Sequence, residues 1–283
     1  MMIEVATANS PVGDLLRGWR QRRRLSQLEL AVEAEVSSRH LSFLETGRAR
    51  PSREMLLRLA DRLAVPLREQ NALLVAAGFA PVYAERPLDD AAMLEARRAV
   101  DLVLRGHEPY PALAIDRYWS LVAANQSAAA LLVGVAPVLT RPPLNVLRVS
   151  LHPDGLAPRI LNYAQWRAHL LHRLRAQVEL SHDARLSALL DELSALPLPP
   201  GSTMSPAARP PEHAVVIPLR MRSDAGVLSF FSTTTVFGTP VDITLSELAI
   251  ESFFPANQAT ADTLREMAGG RGTSPAATPG GSS

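Results

Sequence analysis

The chain is 283 residues long, 47% hydrophobic and 20% charged, enough apolar material for roughly two domain cores. It has no cysteine, which excludes disulfides, thiolate nucleophiles, cysteine-ligated zinc, iron–sulfur clusters and thiol redox sensing. Its 29 basic residues are all arginine and nearly balance 28 acids, but residues 10 to 80 hold twelve arginines against eight acids, +4, leaving −3 for the rest. A mildly basic head on a mildly acidic body suits a nucleic-acid-binding module joined to another domain. The arginines run through the whole chain, so their bias over lysine reads as codon usage. No apolar run reaches the roughly 18 residues of a membrane span, and the start, with its early Glu4, lacks a secretory layout. A cytoplasmic, nucleoid-associated protein is expected.

In chain order, Val12, Leu15, Leu16 and Trp19 share one helical face. Ser26 with Glu29 is a capping box opening a second helix over Gln27 to Val32, and residues 33 to 36 form a turn without the glycine often found there. Ser37 caps a third helix through Glu45, ended by Gly47. Ser52 starts a fourth helix, and Pro66 opens a fifth that stops at Gly78. Two short helices across a tight turn, flanked by three more, predict an all-α five-helix head of helix-turn-helix type over 10–80. The stretch from Leu25 to Leu63 resembles the lambda-repressor-like (Xre-type) family through Gln27, Leu30-Ala31, Val36-Ser37, Leu41, Leu44, Glu45, Gly47, Pro51 and Ser52.

Residues 81–106 read as a linker, with Pro81 and Pro87, and a connecting helix from Asp89 to Arg105. Over 107–268 the order is two short strands (Ala112–Ile115 and Ser120–Ala124), then helices, then three strands. Asp116-Arg117 mark the first turn, Asn125 caps an alanine-rich helix, and two amphipathic helices centre on Trp166–Leu174 and Leu186–Leu193. A proline-rich loop over 197–212 precedes strands at Ala214–Met221, Val227–Phe237 and Val241–Ile250, joined by turns at Ser223–Gly226 and Gly238–Pro240. This predicts an α+β PAS-like domain with an antiparallel sheet, followed by a disordered tail over 269–283. RHLSFLETGRARPSREM, NALLVAAGFAPVY, HEPYPALAIDRYW, the segment from Asn145 to Leu174 and the closing FSTTTVFGTPVDITLSELAIESFFPA make the chain resemble the MmyB-like regulators over about 12 to 268. That resemblance implies a bacterial, ligand-controlled transcription regulator with a fatty-acid-like effector.

On the third helix, Ser38, Arg39, Ser42 and Phe43 point outward if Leu41 and Leu44 point in. Arg39 can donate twice to guanine O6 and N7, and Phe43 can meet a thymine methyl or pack on the next helix. Gln27 stands where a phosphate meets a helix N-terminus, Arg48 and Arg50 suit backbone phosphates or open solvent, and Glu45 reads as structural. An anionic head group would need cations at the mouth of an apolar pocket; Arg148 is the first candidate, with His152 and Arg167 behind it. Trp119, Tyr163, Trp166, Phe230 and Phe231 could wall that pocket or simply form core. His169 and His172 have the spacing of a metal pair but no third ligand, so no metal and no cofactor beyond a bound fatty acid is expected. No nucleophile elbow, phosphate loop or zinc-protease helix is present, so an enzyme is not expected. Operator DNA, a small hydrophobic ligand and a second copy in a homodimer are the expected partners. The alternative is a DNA-binding antitoxin or nucleoid-type protein with a C-terminal oligomerisation or partner domain and no small ligand.

Overall fold

The computed structural model describes residues 12–199 and 216–271. The chain divides into two compact units, Met1–Met93 with Phe237–Glu247, and Leu94–Val236 with Leu248–Ser283. The first begins with α1 (Val12–Arg22), α2 (Gln27–Glu33), α3 (Ser38–Glu45), α4 (Arg53–Arg62) and α5 (Leu67–Ala76). Their starts follow from the caps: the Ser26, Ser37 and Ser52 side chains accept from the backbone N–H of Glu29, His40 and Met55. Ser26 N–H in turn donates to Glu29 Oε2 at 2.6 Å, completing the capping box. Glu35 takes φ +55 in the α2–α3 turn, the left-handed conformation for which glycine is the usual residue. The inward stripes join in one core of Leu16, Trp19, Leu30, Leu41, Leu44 and Leu59, each worth about 1.5–3 kcal/mol on burial for leucine.

The stretch after α5 is held rather than free. Asn71 Nδ2 donates to the Tyr83 carbonyl, while its Oδ1 accepts from the Val82 and Tyr83 N–H groups. Tyr83 Oη donates to Gln70 Oε1 at 3.1 Å. Residues 81–93, expected as linker, therefore belong to the first unit, and the connecting helix starts at Leu94 instead of Asp89, after a short 3-10 turn at Ala91–Met93.

The second unit holds α6 (Leu94–Gly106), β1 (Ala112–Ile115), β2 (Leu121–Ala124), α7 (Gln126–Leu131), α8 (Pro137–Thr140), α9 (Val146–Leu151), α10 (Tyr163–Ser181) and α11 (Ala184–Ala195). It continues with β3 (Leu219–Ser223), β4 (Gly226–Val236), β5 (Ala249–Pro255) and α13 (Gln258–Arg271); between β4 and β5, α12 (Ile243–Ser246) lies in the first unit. The sheet is antiparallel in the order β2-β1-β5-β4-β3, with helices inserted between β2 and β3, the α+β PAS-like arrangement. Asn125 is buried at its hub: Oδ1 accepts from Ala112 and Ala128 N–H, and Nδ2 donates to the Leu104 and Tyr110 carbonyls. One side chain thus ties α6, β1 and α7 together. The sequence reading has no helix at 258–271; there Ala261 and Leu264 are buried, and Thr260 Oγ1 accepts from Ser229 N–H in β4. The expected loop over 197–212 falls mostly outside the described residues, as does the expected tail beyond Arg271.

The last expected strand and turn require correction. Residues 241–248 do not form a strand, because Asp242 accepts from Thr244 N–H and starts α12; β5 begins only at Ala249, and 238–240 is no tight turn. This segment packs within the first unit. Ile243 N–H donates to the Ala84 carbonyl at 2.8 Å, Arg86 Nη1 meets Asp242 Oδ2 at 3.1 Å, and Arg68 forks onto both Glu247 oxygens at 2.8 and 3.0 Å while also pairing with Glu85. The bonds from Glu247 and Glu85 raise the Arg68 pKa further, so the guanidinium stays charged at any working pH. A span of chain expected in the PAS-like domain therefore belongs with the DNA-binding head. Replacing Arg68 with Ala should weaken that local hold by about 1–2 kcal/mol, seen as roughly tenfold faster amide hydrogen exchange over 237–247, with the helical core of the head unchanged. Unchanged exchange there would show that the apolar contacts alone hold the segment.

Candidate DNA-binding face and ligand cavity

The placement of α3 starts from a carboxylate with no exposed side-chain surface, Glu45 at its last turn. Arg20 of α1 donates to both its oxygens at 2.6 and 2.8 Å, and Gln27 of α2 donates to Oε2 at 2.8 Å. Arg17 adds a bond to the Glu45 carbonyl at 2.7 Å. Burial alone would push the Glu45 carboxyl up, but the bonds from Arg20 and Gln27 and the charges of Arg20 and Arg17 outweigh it and hold the group below the usual carboxylate range. The packing is close: a Cβ on Gly13 of α1 would lie 2.4 Å from the Leu44 carbonyl oxygen. Three helices are thus locked around one anion, and Leu41 and Leu44 face the core.

The opposite face of α3 presents Arg39, exposed, with Ser38, Ser42 and Phe43 half-buried beside it. The Arg39 guanidinium lies 5.4 Å from the Phe43 ring, so the aromatic packs on its own helix and supports the arginine. Arg48 and Arg50 follow in the exposed loop after α3. Gln27 departs from expectation, since its amide N–H is used within the protein on Glu45. The sequence reading assigned Glu45 a structural role but did not find its partners; the signal was Arg17 and Arg20 at i, i+3 on α1, flanking the Leu16 stripe.

The second unit contains an apolar cavity, partly open to solvent, with about 110 Å³ of room inside it. Trp119, Leu144, Leu147, Trp166, Leu170 and Phe253 contribute to its wall. Trp119 is held at φ +63, a left-handed conformation costing an aromatic residue on the order of 1–3 kcal/mol. Asp116 maintains it by accepting from the Tyr118 and Ser120 N–H groups, both at 2.8 Å, and the indole N–H donates to Gln177 Oε1 at 2.9 Å.

Of the expected ligand residues, Trp119 and Trp166 line this cavity. Arg148 is elsewhere, forked onto Glu192 at 2.6 and 2.7 Å. His152 Nδ1 accepts from Asp154 N–H, and Arg167 donates to the Leu193 and Ser194 carbonyls at the end of α11. Tyr163 is buried with its hydroxyl on the Leu151 carbonyl, Phe230 is a fully buried core residue, and Phe231 stacks on Phe254. The polar groups actually on the cavity wall are Ser150, Arg173 and Glu251, none of which the sequence reading selected. Arg173 follows Trp166 and Leu170 at i+7 and i+3 on one helical face, and Glu251 is a lone acid in an apolar strand. His169, beside Trp166, is pushed down by burial and by Arg173, and so is neutral at pH 7. Among the described residues, no three metal-ligating side chains group together, and no helix is long and apolar enough to cross a membrane.

A helix-turn-helix head in one unit and a PAS-like domain enclosing an apolar cavity in the other define a ligand-responsive, DNA-binding transcription regulator. Residues 11–73 match a helix-turn-helix domain family, and residues 96–267 match the MmyB-like transcription regulator ligand binding domain. The chain belongs to the MmyB-like transcription regulators. No curated protein sequence matches it. A solved structure described as that of an RNA-binding light-oxygen-voltage receptor aligns over 94% of this chain and 66% of its own at 12% identity, with a TM-score of 0.25, a likeness too slight to bear on function.

The Glu45 network gives a stability test. Glu45→Gln leaves Arg20 buried without its counter-charge and should destabilise the head by about 3–5 kcal/mol at pH 7 in denaturant unfolding. Because the folded carboxyl is held low, the wild-type advantage is full above the unfolded value of about 4.3 and is lost as pH falls through the folded one. The gap between the two proteins should therefore narrow in acid. A gap that stays constant with pH would mean that packing, not charge, carries the effect.

Proposed function

We propose that α3 reads operator DNA in the major groove and that occupancy of the cavity by a long-chain, fatty-acid-like amphiphile changes operator affinity. The observation that carries the first half is the outward row of Ser38, Arg39, Ser42 and Phe43 on a helix whose inner face is locked by Glu45. Arg39 is the base reader, by two bonds to one guanine, and Arg48 and Arg50 are phosphate contacts that set register. Gln27 contributes from the N-terminus of α2, a position that suits a phosphate. The protein works as a homodimer on two half-sites about 34–36 Å apart, in the cytoplasm on the nucleoid, and has no enzymatic step. On a selected operator, Arg39→Ala should cost about 1–3 kcal/mol and relax preference at one base pair, whereas Arg48→Ala should weaken all sequences alike, each in a complex of two chains per operator by sedimentation. Equal losses on every DNA for both variants would remove Arg39 as reader.

The second half rests on the cavity itself. Each methylene buried there adds roughly 0.8 kcal/mol, so a long chain binds with few polar anchors. Regulation requires that the ligand favour one arrangement of the paired heads, since equal affinity for both shifts nothing. Operator affinity should change at least several-fold between delipidated protein and protein loaded with fatty acids of graded length. A constant dissociation constant across the series, at verified occupancy, would refute control by these lipids.

A further inference from the structure

We infer that the cavity takes an uncharged amphiphile, a long apolar body ending in one hydroxyl or carbonyl group (an alcohol, ester, lactone or amide), in preference to a carboxylate. This rests on reading the cavity as the ligand site and narrows the head group it accepts.

The charged side chains on the cavity wall are Arg173 and Glu251, and they neutralise each other. Arg173 Nη2 reaches Glu251 Oε1 at 2.6 Å and Nη1 reaches Oε2 at 3.4 Å. Thr234, opposite Glu251 in the β4–β5 register, donates its hydroxyl to Oε1 at 2.8 Å and accepts from Arg173 Nη2 at 3.3 Å. The guanidinium also lies 4.8 Å from the Trp119 ring, which fixes its plane. Glu251 has 6% of its side chain exposed and sits on the strand flanked by β1 and β4.

An arriving carboxylate would therefore face a cation that already has its anion. Two carboxylates around one guanidinium leave a net negative charge in an apolar cavity, so one must take up a proton or forfeit its partner. His169 of α10, held below the usual imidazole range by burial and by Arg173, supplies no second cation. The wall instead offers a neutral donor. Ser150 Oγ accepts from the Trp166 indole N–H at 3.0 Å, and its own O–H has no acceptor among the described residues, so it can donate to a ligand hydroxyl or carbonyl oxygen. The apolar remainder of the wall takes the chain.

The test is equilibrium dialysis of the delipidated full-length protein against labelled hexadecanol, methyl hexadecanoate, hexadecanamide and hexadecanoate, each below its micellar concentration, near pH 7.5. The neutral probes should bind at least about tenfold more tightly than hexadecanoate. Glu251→Gln frees Arg173, and should raise hexadecanoate affinity about tenfold or more while moving hexadecanol by less than about threefold. Should that variant fail to fold, the wild-type comparison decides by itself. Hexadecanoate binding as tightly as the neutral probes, or more tightly, overturns the inference and leaves the cavity as a lipid site. Failure of all four to bind overturns both the inference and the proposed lipid ligand.

Discussion

A single buried carboxylate holds the DNA-binding head in working shape. Glu45 takes bonds from α1 through Arg20 and from α2 through Gln27, and it sits at the end of the helix proposed to read DNA. A buried anion that loses its partners costs more than a missing hydrophobic contact, so the orientation of α3 is fixed by charge as well as by Leu41 and Leu44. The same bonds explain the outward row: once the inner face and the C-terminal end of α3 are held, Arg39 and Phe43 have no inward alternative. The Arg39 side chain is already steadied on an aromatic ring, which suits the base-reading role proposed for it.

The second unit uses strain and compensation differently. Trp119 is kept in a left-handed conformation by the Asp116 turn and placed under the Arg173–Glu251 pair, where it forms both wall and support. Glu251 and Phe253 put β5 on the cavity wall, and the chain between β4 and β5 is the segment held in the head by Arg68 and Arg86. The two units are thus joined covalently through three chain crossings, at Met93–Leu94 and at both ends of 237–247. A ligand that changes the Thr234–Glu251 pairing acts close in sequence to two of those crossings.

Most of the head was legible because its signals are local. Ser26, Ser37, Ser52 and Pro66 each mark a helix start within one turn, and the leucine stripes have one helical period. The strands of the PAS-like domain were legible as far as Val236 for the same reason. The segment after β4 was not, since Val241 to Ile250 alternates like a strand until the carboxylate of Asp242 caps a helix instead. The ligand site was the least legible part. Sequence reasoning looks for unpaired cations, which favoured Arg148; yet whether an arginine is paired depends on a residue far along the chain, here Glu192. Arg173 looked like one more arginine on an amphipathic helix, and only the fold brings it to Glu251, 78 residues away.

Guanine methylation protection on a selected operator tests the central claim most directly, because N7 lies in the major groove alone. The account predicts that the intact protein shields guanine N7 within each half-site and that Arg39→Ala restores methylation at one guanine per half-site. Unprotected guanine N7 alongside protection of adenine N3 in the minor groove would contradict it.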